Sequence, residues 1–289
     1  MSIFANGVHF MCRWILLLFV FLFFLGCSPS KPSPYFYKVE KDGKESYLLG
    51  TLHYGVSLYE LPCNNHIVDK LKTSDLVFLE IVSDDNDRNN DEYFVNYFSP
   101  KGRDFKKLSR SSQKFLKNKR ISPALSYVGL SVALDLTCVE EALGKSAKET
   151  SMDSQVENLA RENSISLKAL DNKKLREPIN DFYGLDYIEK QIAYYPACPA
   201  ETEILIEDYK LGDVDYYITD SDDVNTKFDE VILKNRNEHW LKEFKKAHHD
   251  YDQIFLAAGL FHFIGKFNLI DMLNQEGFMW SGFPALHFN

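Results

Sequence analysis

Apolar and polar positions follow two different periods along this chain, and the changes between them mark out its elements. Tyr35-Phe36-Tyr37-Lys38-Val39 and Glu45-Ser46-Tyr47-Leu48-Leu49 are short apolar-rich runs flanking Lys41-Asp42-Gly43-Lys44. Asp-Gly between two such runs predicts a tight hairpin. Beyond His53 a loop leads to Leu61-Pro62, which opens a helix to about Lys72 with Ile67, Val68 and Leu71 on one face. Asp75–Val82 is almost continuously apolar and predicts a strand buried on both faces. The middle reads as helical from Phe98 to about Leu143, with an apolar helix starting at Pro123-Ala124-Leu125. A helix from Met152 to about Glu162 and a short strand Leu167–Leu170, closed by Asp171, follow. This helix-then-strand order mirrors Asn64–Glu80 and hints at two similar halves, with too little identity to count as a repeat. Helical periodicity returns from Leu175 to about Lys246, broken near Tyr195–Pro199 and Asp220–Asp223, with a helix ending through Lys234–Trp240. Ile254–Ala258 reads as a strand, Phe267–Leu273 as a helix stopped by Gly277, and Phe278-Met279-Trp280 as a last strand. Strands at both ends with helices between predict an α/β (mixed α+β) fold. Its central sheet forms from N- and C-terminal strands, and a large helical insertion makes the middle.

The residues before Tyr35 belong to another pattern. Arg13 precedes the apolar run Trp14–Leu25, which ends in Gly26-Cys27 and is too short for a comfortable membrane span. Residues 1–26 resemble a bacterial lipoprotein signal, with Cys27 as the lipidation site and 27–34 as a Pro/Ser tether. An uncleaved anchor or a plain secretory signal is the competing reading. The domain proper is expected over 35–289. The expected location is exported and membrane-anchored through the N-terminal lipid, at the outer membrane facing the periplasm. Net charge is −9, and removal of the leader takes away one Arg and no acid, giving −10. That balance argues against nucleic acid and against a basic membrane-binding patch. Cys63, Cys138 and Cys198 are neither a disulfide framework nor a zinc ribbon. An oxidising compartment permits a single bridge among them; Cys138–Cys198 is the first choice, since both lie in the helical middle, and the pairing of the three is left open.

Two segments share a pattern: Gly50-Thr51-Leu52-His53 and Gly259-Leu260-Phe261-His262 each follow an apolar run. Gly50 and Gly259 permit a sharp change of direction at a strand end, the place where open α/β sheets put their chemistry. Glu80 ends an apolar strand, where a carboxylate is costly unless paired, protonated or on a metal. Arg236 suits an oxyanion or a substrate carboxylate, with Asn237 orienting it; a buried ion pair with Glu80 or Asp153 is the alternative. Trp240 reads as core one turn from Arg236, and Asp153 as a helix cap.

These pieces, in this order, resemble the TraB/GumN family, itself similar to the Tiki metalloproteases and more distantly to erythromycin esterases. Phe261 departs from that pattern, in which a small residue usually precedes the second His. The resemblance implies one pocket built from both histidines and the glutamate. It implies metal ligation by His53, His262 and Glu80, with manganese, cobalt and zinc not distinguished. It further implies a metal-dependent hydrolase acting on a peptide or small molecule, with Glu80, Arg236 and Asn237 catalytic. The alternative is a non-catalytic, lipid-anchored binding or inhibitor module that sequesters a peptide or small ligand.

Overall fold

The computed structural model describes residues 34–62, 64–82, 102–214 and 229–282. The leader, Cys27, Cys63, the acidic stretch after Ser83 and the break at Asp220–Asp223 lie outside them. Six strands form one mixed sheet: β1 (Phe36–Lys41), β2 (Lys44–Thr51), β3 (Leu76–Leu79), β4 (Ser166–Ala169), β5 (Ile254–Gly259) and β6 (Met279–Gly282), in the order β4-β3-β5-β2-β1-β6. β4, β3, β5 and β2 run parallel, while β1 lies antiparallel to both β2 and β6. The turn Asp42-Gly43 has φ of 54° and 77°, the pair of positive values that a two-residue hairpin matched to strand twist requires. β3 and β5 are buried along their whole length, as their continuous apolar sequences demand.

Ten α-helices in the described residues surround this sheet: α1 (Asn64–Lys72), α2 (Arg103–Lys107), α3 (Arg110–Asn118), α4 (Tyr127–Leu143), α5 (Met152–Glu162), α6 (Lys173–Asn180), α7 (Leu185–Tyr194), α8 (Cys198–Leu211), α9 (Asn235–Asp250) and α10 (Leu269–Gln275). None is long and apolar enough to cross a membrane. The main core joins the sheet to α1, α5, α9 and α10. A second buried cluster, with Phe105, Leu116, Leu130, Leu134, Ile188 and Ile192, belongs to α2, α3, α4 and α7. The helical middle therefore has apolar packing of its own, and the Cys138–Cys198 disulfide ties α4 to the start of α8.

Three local expectations are corrected. The apolar helix starts at Tyr127, not Pro123, because the Ser126 side chain accepts the Gly129 N–H and caps it there. Asp153 does not cap α5; Ser151 does, accepting from the Ser154 N–H. Lys234–Trp240 is where a helix begins, not where one ends. A π-helical turn over Glu230–Lys234 leads directly into α9, which continues to Asp250.

Candidate functional site

The carboxyl ends of four neighbouring parallel strands deliver the polar groups. β2 leads to His53, β3 to Glu80, β4 to Asp171, and β5 ends at Gly259 just before the 3₁₀ turn Leu260–His262. Asp171 N–H donates to Glu80 O at 3.0 Å, which carries the β3–β4 pairing past the strands and sets the two acids side by side. From the helices come Asp153 in the first turn of α5 and Arg236, Asn237 and Trp240 in the first turns of α9.

Arg236 is the hub. Its Nε and Nη2 donate to the two oxygens of Asp171 at 3.1 and 2.9 Å, a bidentate pair. Nη2 also donates to Glu80 Oε2, and Nη1 donates to Ile232 O at 3.2 Å and to His262 Nε2 at 2.9 Å. Trp240 closes the inner side, donating from Nε1 to Asp171 Oδ1 at 3.0 Å, with its ring centroid 4.1 Å from that of His262. Glu80 Oε1 accepts the Gly259 N–H at 2.7 Å.

The proton on His262 follows from its neighbours. Asn237 Nδ2 donates to His262 O and Phe267 O at 3.1 and 2.7 Å, so Asn237 Oδ1 must be the acceptor facing His262 Nδ1 at 2.6 Å. His262 therefore carries its hydrogen on Nδ1 and offers a bare Nε2 to Arg236. Burial, and then the charge of Arg236, hold its pKa well below the ordinary value, so the ring is neutral. Asn237 thus orients His262 rather than Arg236.

His53 has the opposite electrostatics. Its Nδ1 meets Asp153 Oδ2 at 2.5 Å, and Thr51 Oγ1 donates to the other Asp153 oxygen at 2.8 Å. Burial pulls the His53 pKa down, but the charge and hydrogen bond of Asp153, with the charge of Glu80, outweigh it and raise the pKa to about 9. The side chain is 49% exposed, so solvent screens these charges in part and reaches the ring. For Glu80, burial works against ionisation, yet the charges of Arg236 and His53, with the Gly259 N–H, hold its pKa below the ordinary carboxylate range. Asp171 moves the other way, raised by burial and by the Glu80 charge against the pull of Arg236. Arg176 on α6 stands 3.8 Å from Asp171, and burial and Arg236 lower its pKa to about 9.

His53, Glu80, Asp153, Arg236, Asn237, Trp240, Gly259 and His262, all proposed for the site from sequence, thus gather in one place, while Cys27 lies outside the described residues. His53 Nε2 and His262 Nε2 lie 3.9 and 3.7 Å from the same oxygen, Glu80 Oε1. Gly50 and Gly259 support it by close approach: Gly50 O accepts from the buried Tyr209 hydroxyl at 2.6 Å, and a Cβ on Gly259 would lie 2.9 Å from His53 Nε2. Asp171, Thr51 and Arg176 were missed. The available signal for Asp171 is that it closes its strand as Glu80 closes its own.

The donor types and their support fit a divalent ion. Two imidazoles with Nδ1 fixed by an oxygen, and a carboxylate between them, are the ligands and outer partners such ions take. Among the described residues, however, no group of three His, Cys, Asp or Glu side chains is placed so that it could hold a metal ion as it stands. Arg236 occupies the lone pair of His262 Nε2.

The profile of the TraB/PrgY/gumN family matches residues 35–281. Neither a curated protein nor a solved structure matches the chain.

Proposed function

Since the chain belongs to the TraB/PrgY/gumN family, we propose that its strand-end cluster is the centre of a metal-dependent hydrolase acting on peptide-like substrates. One observation carries this reading: two histidines, each with Nδ1 held by an oxygen, present Nε2 within 4 Å of one oxygen of Glu80. His53, His262 and Glu80 would hold the ion, which would polarise a carbonyl and lower the pKa of bound water. The ion would take over the lone pair of His262 that Arg236 now engages. The protein's own residues have distinct tasks. Asp153 and Asn237 aim the two imidazoles, and Gly259 leaves room beside His53. Arg236 holds Glu80 ionised, pairs with Asp171 beside it, and supplies positive charge next to the reacting group. Manganese, cobalt and zinc all suit this donor set.

A second reading is favoured by the guanidinium itself, which already provides the cation between Glu80, Asp171 and His262. In it the His53–Asp153 pair exchanges protons with substrate and no metal is needed. Elemental analysis of the full chain after exposure to manganese, cobalt or zinc separates the two. The first predicts stoichiometric metal, lost in His53→Ala and His262→Ala, with peptide cleavage abolished in both and in Glu80→Gln. Metal-free protein that cleaves peptides supports the second. A peptide held unchanged, with affinity lost in the same variants, would indicate a sequestering module instead. The proposal includes export, with Cys27 lipidated at the outer membrane and the pocket facing the periplasm. Cys27→Ser then releases the protein from membranes, and unchanged membrane association refutes that part.

A further inference from the structure

Nine large apolar side chains are exposed among the described residues, and three of them are Tyr54, Ile81 and Phe261. Each is the immediate chain neighbour of a site residue: His53, Glu80 and His262. The three strands they follow, β2, β3 and β5, are adjacent in the sheet, so the three residues lie on neighbouring exits at its carboxyl edge. The turn Leu260–His262 shows how this arises. Leu260 and His262 are buried, and the residue between them is turned partly outward. That outward position costs nothing with a polar side chain, yet it holds a phenylalanine that is 43% exposed. The inner side of the cluster is closed by Trp240, Arg236 and Asp171. On the outer side the His53 side chain is 49% exposed.

We propose that Tyr54, Ile81 and Phe261 form an apolar rim that takes up an apolar side chain of a peptide substrate, beside the bond presented to His53 and Glu80. The division of labour is that of small-ligand sites, in which apolar walls bind and a few polar groups orient. The chemistry rests on the hydrolase reading, but the side-chain preference is measurable without it.

Two blocked pentapeptides that differ only in a central Leu or Ser are the probes. Their affinities are measured on the unmodified full chain with N-methylated versions that resist cleavage, and their kcat/KM values on the same chain with the unmethylated peptides. The leucine peptide is expected to be favoured about tenfold in both measurements. Phe261→Ser and, separately, Ile81→Ser should bring both ratios towards one; both positions are exposed, so the fold survives. Preferential binding without cleavage sinks the hydrolase reading and keeps the rim. Cleavage or binding with no preference, or a preference that both variants retain, overturns the rim. So does finding that these residues govern self-association or binding to phosphatidylcholine vesicles while peptide affinity stays indifferent to the side chain.

Discussion

Replacing Arg236 with alanine tests whether the cluster's charges are organised as described. The Arg236 side chain is 7% exposed, and its partners Glu80 and Asp171 are 14% and 2% exposed. The guanidinium makes charge-assisted hydrogen bonds to both carboxylates and a further bond to His262 Nε2. Removing one partner of a buried ion pair costs about 3–5 kcal/mol, because the remaining charge has neither water nor a counter-ion. Here two carboxylates lose their main partner but keep Arg176, 3.8 Å from Asp171, and His53, 3.9 Å from Glu80, so Arg236→Ala should fall at the lower end of that range at pH 7.5. Arg236→Lys keeps the charge but loses the fork, and should cost roughly half as much. The sign with pH is fixed by Glu80. Its folded pKa is held below the ordinary 4.5, so its contribution is present above that pH and is lost as pH falls through the folded value. Without Arg236 the dominant influence is burial, which raises both acids above their ordinary values; the penalty is then full at neutral pH and shrinks as they take up protons. Urea unfolding followed by tryptophan fluorescence at pH 7.5 and pH 5 reads both quantities. A loss under about 1 kcal/mol at pH 7.5, or an equal loss at the two pH values, would refute the account.

Two further expectations are independent of any activity or bear on it directly. Asp153→Asn should bring the His53 pKa down from about 9 to near or below its ordinary 6.5, as followed by NMR titration of the ring. Because the folded pKa is raised, charged His53 stabilises the fold below pH 6.5 and that contribution fades towards pH 9. The variant should lack this slope, and a His53 pKa still near 9 would show that Asp153 is not its cause. Gly259→Ala puts a Cβ 2.9 Å from His53 Nε2 and 3.2 Å from Glu80 Oε1, while its φ of −51° suits alanine. The strain therefore falls on the pocket. Stability should change by under about 1 kcal/mol, while turnover falls on the order of a hundredfold as His53 is pushed aside. Near-normal turnover would show that His53 has another productive position.

Much of this arrangement was legible because the residues concerned carry strong local signals. Asp42-Gly43 can hardly be anything but a hairpin turn, and an unbroken apolar run such as Ile254–Ala258 has no exposed face to offer. Gly50 and Gly259 before their histidines, and Glu80 at the end of Val77-Phe78-Leu79, stand out because they break the apolar pattern at its edge. The Cys138–Cys198 pairing, expected from position in the chain, is the one present. What periodicity could not supply is partner choice across the chain. Asp153 looks like a helix cap until Ser151 is seen to take that task, which frees its carboxylate for His53 and Thr51. Asp171 looks like an ordinary strand terminator until Arg236 is found on it. Asn237 has nothing in its sequence context to say that it sets a histidine tautomer, since that depends on a carbonyl at Phe267, thirty residues away. The end of the helix near Trp240 was misplaced for a related reason. The polar run Lys234–Glu238 resembles a terminus, but Arg236 and Asn237 are buried and satisfied by the site.

The order of elements along the chain has a kinetic consequence. β2 finds its parallel neighbour β5 roughly two hundred residues further on, and β1 finds β6 still later. Contacts of that span carry a loop-closure cost that slows folding. A polypeptide made from its amino end presents His53 early, then Glu80, then Asp171, and these cannot be brought to Arg236 and His262 until α9 and β5 have been synthesised. The cluster therefore cannot assemble in a nascent chain that lacks β5, while the helical middle has a core of its own.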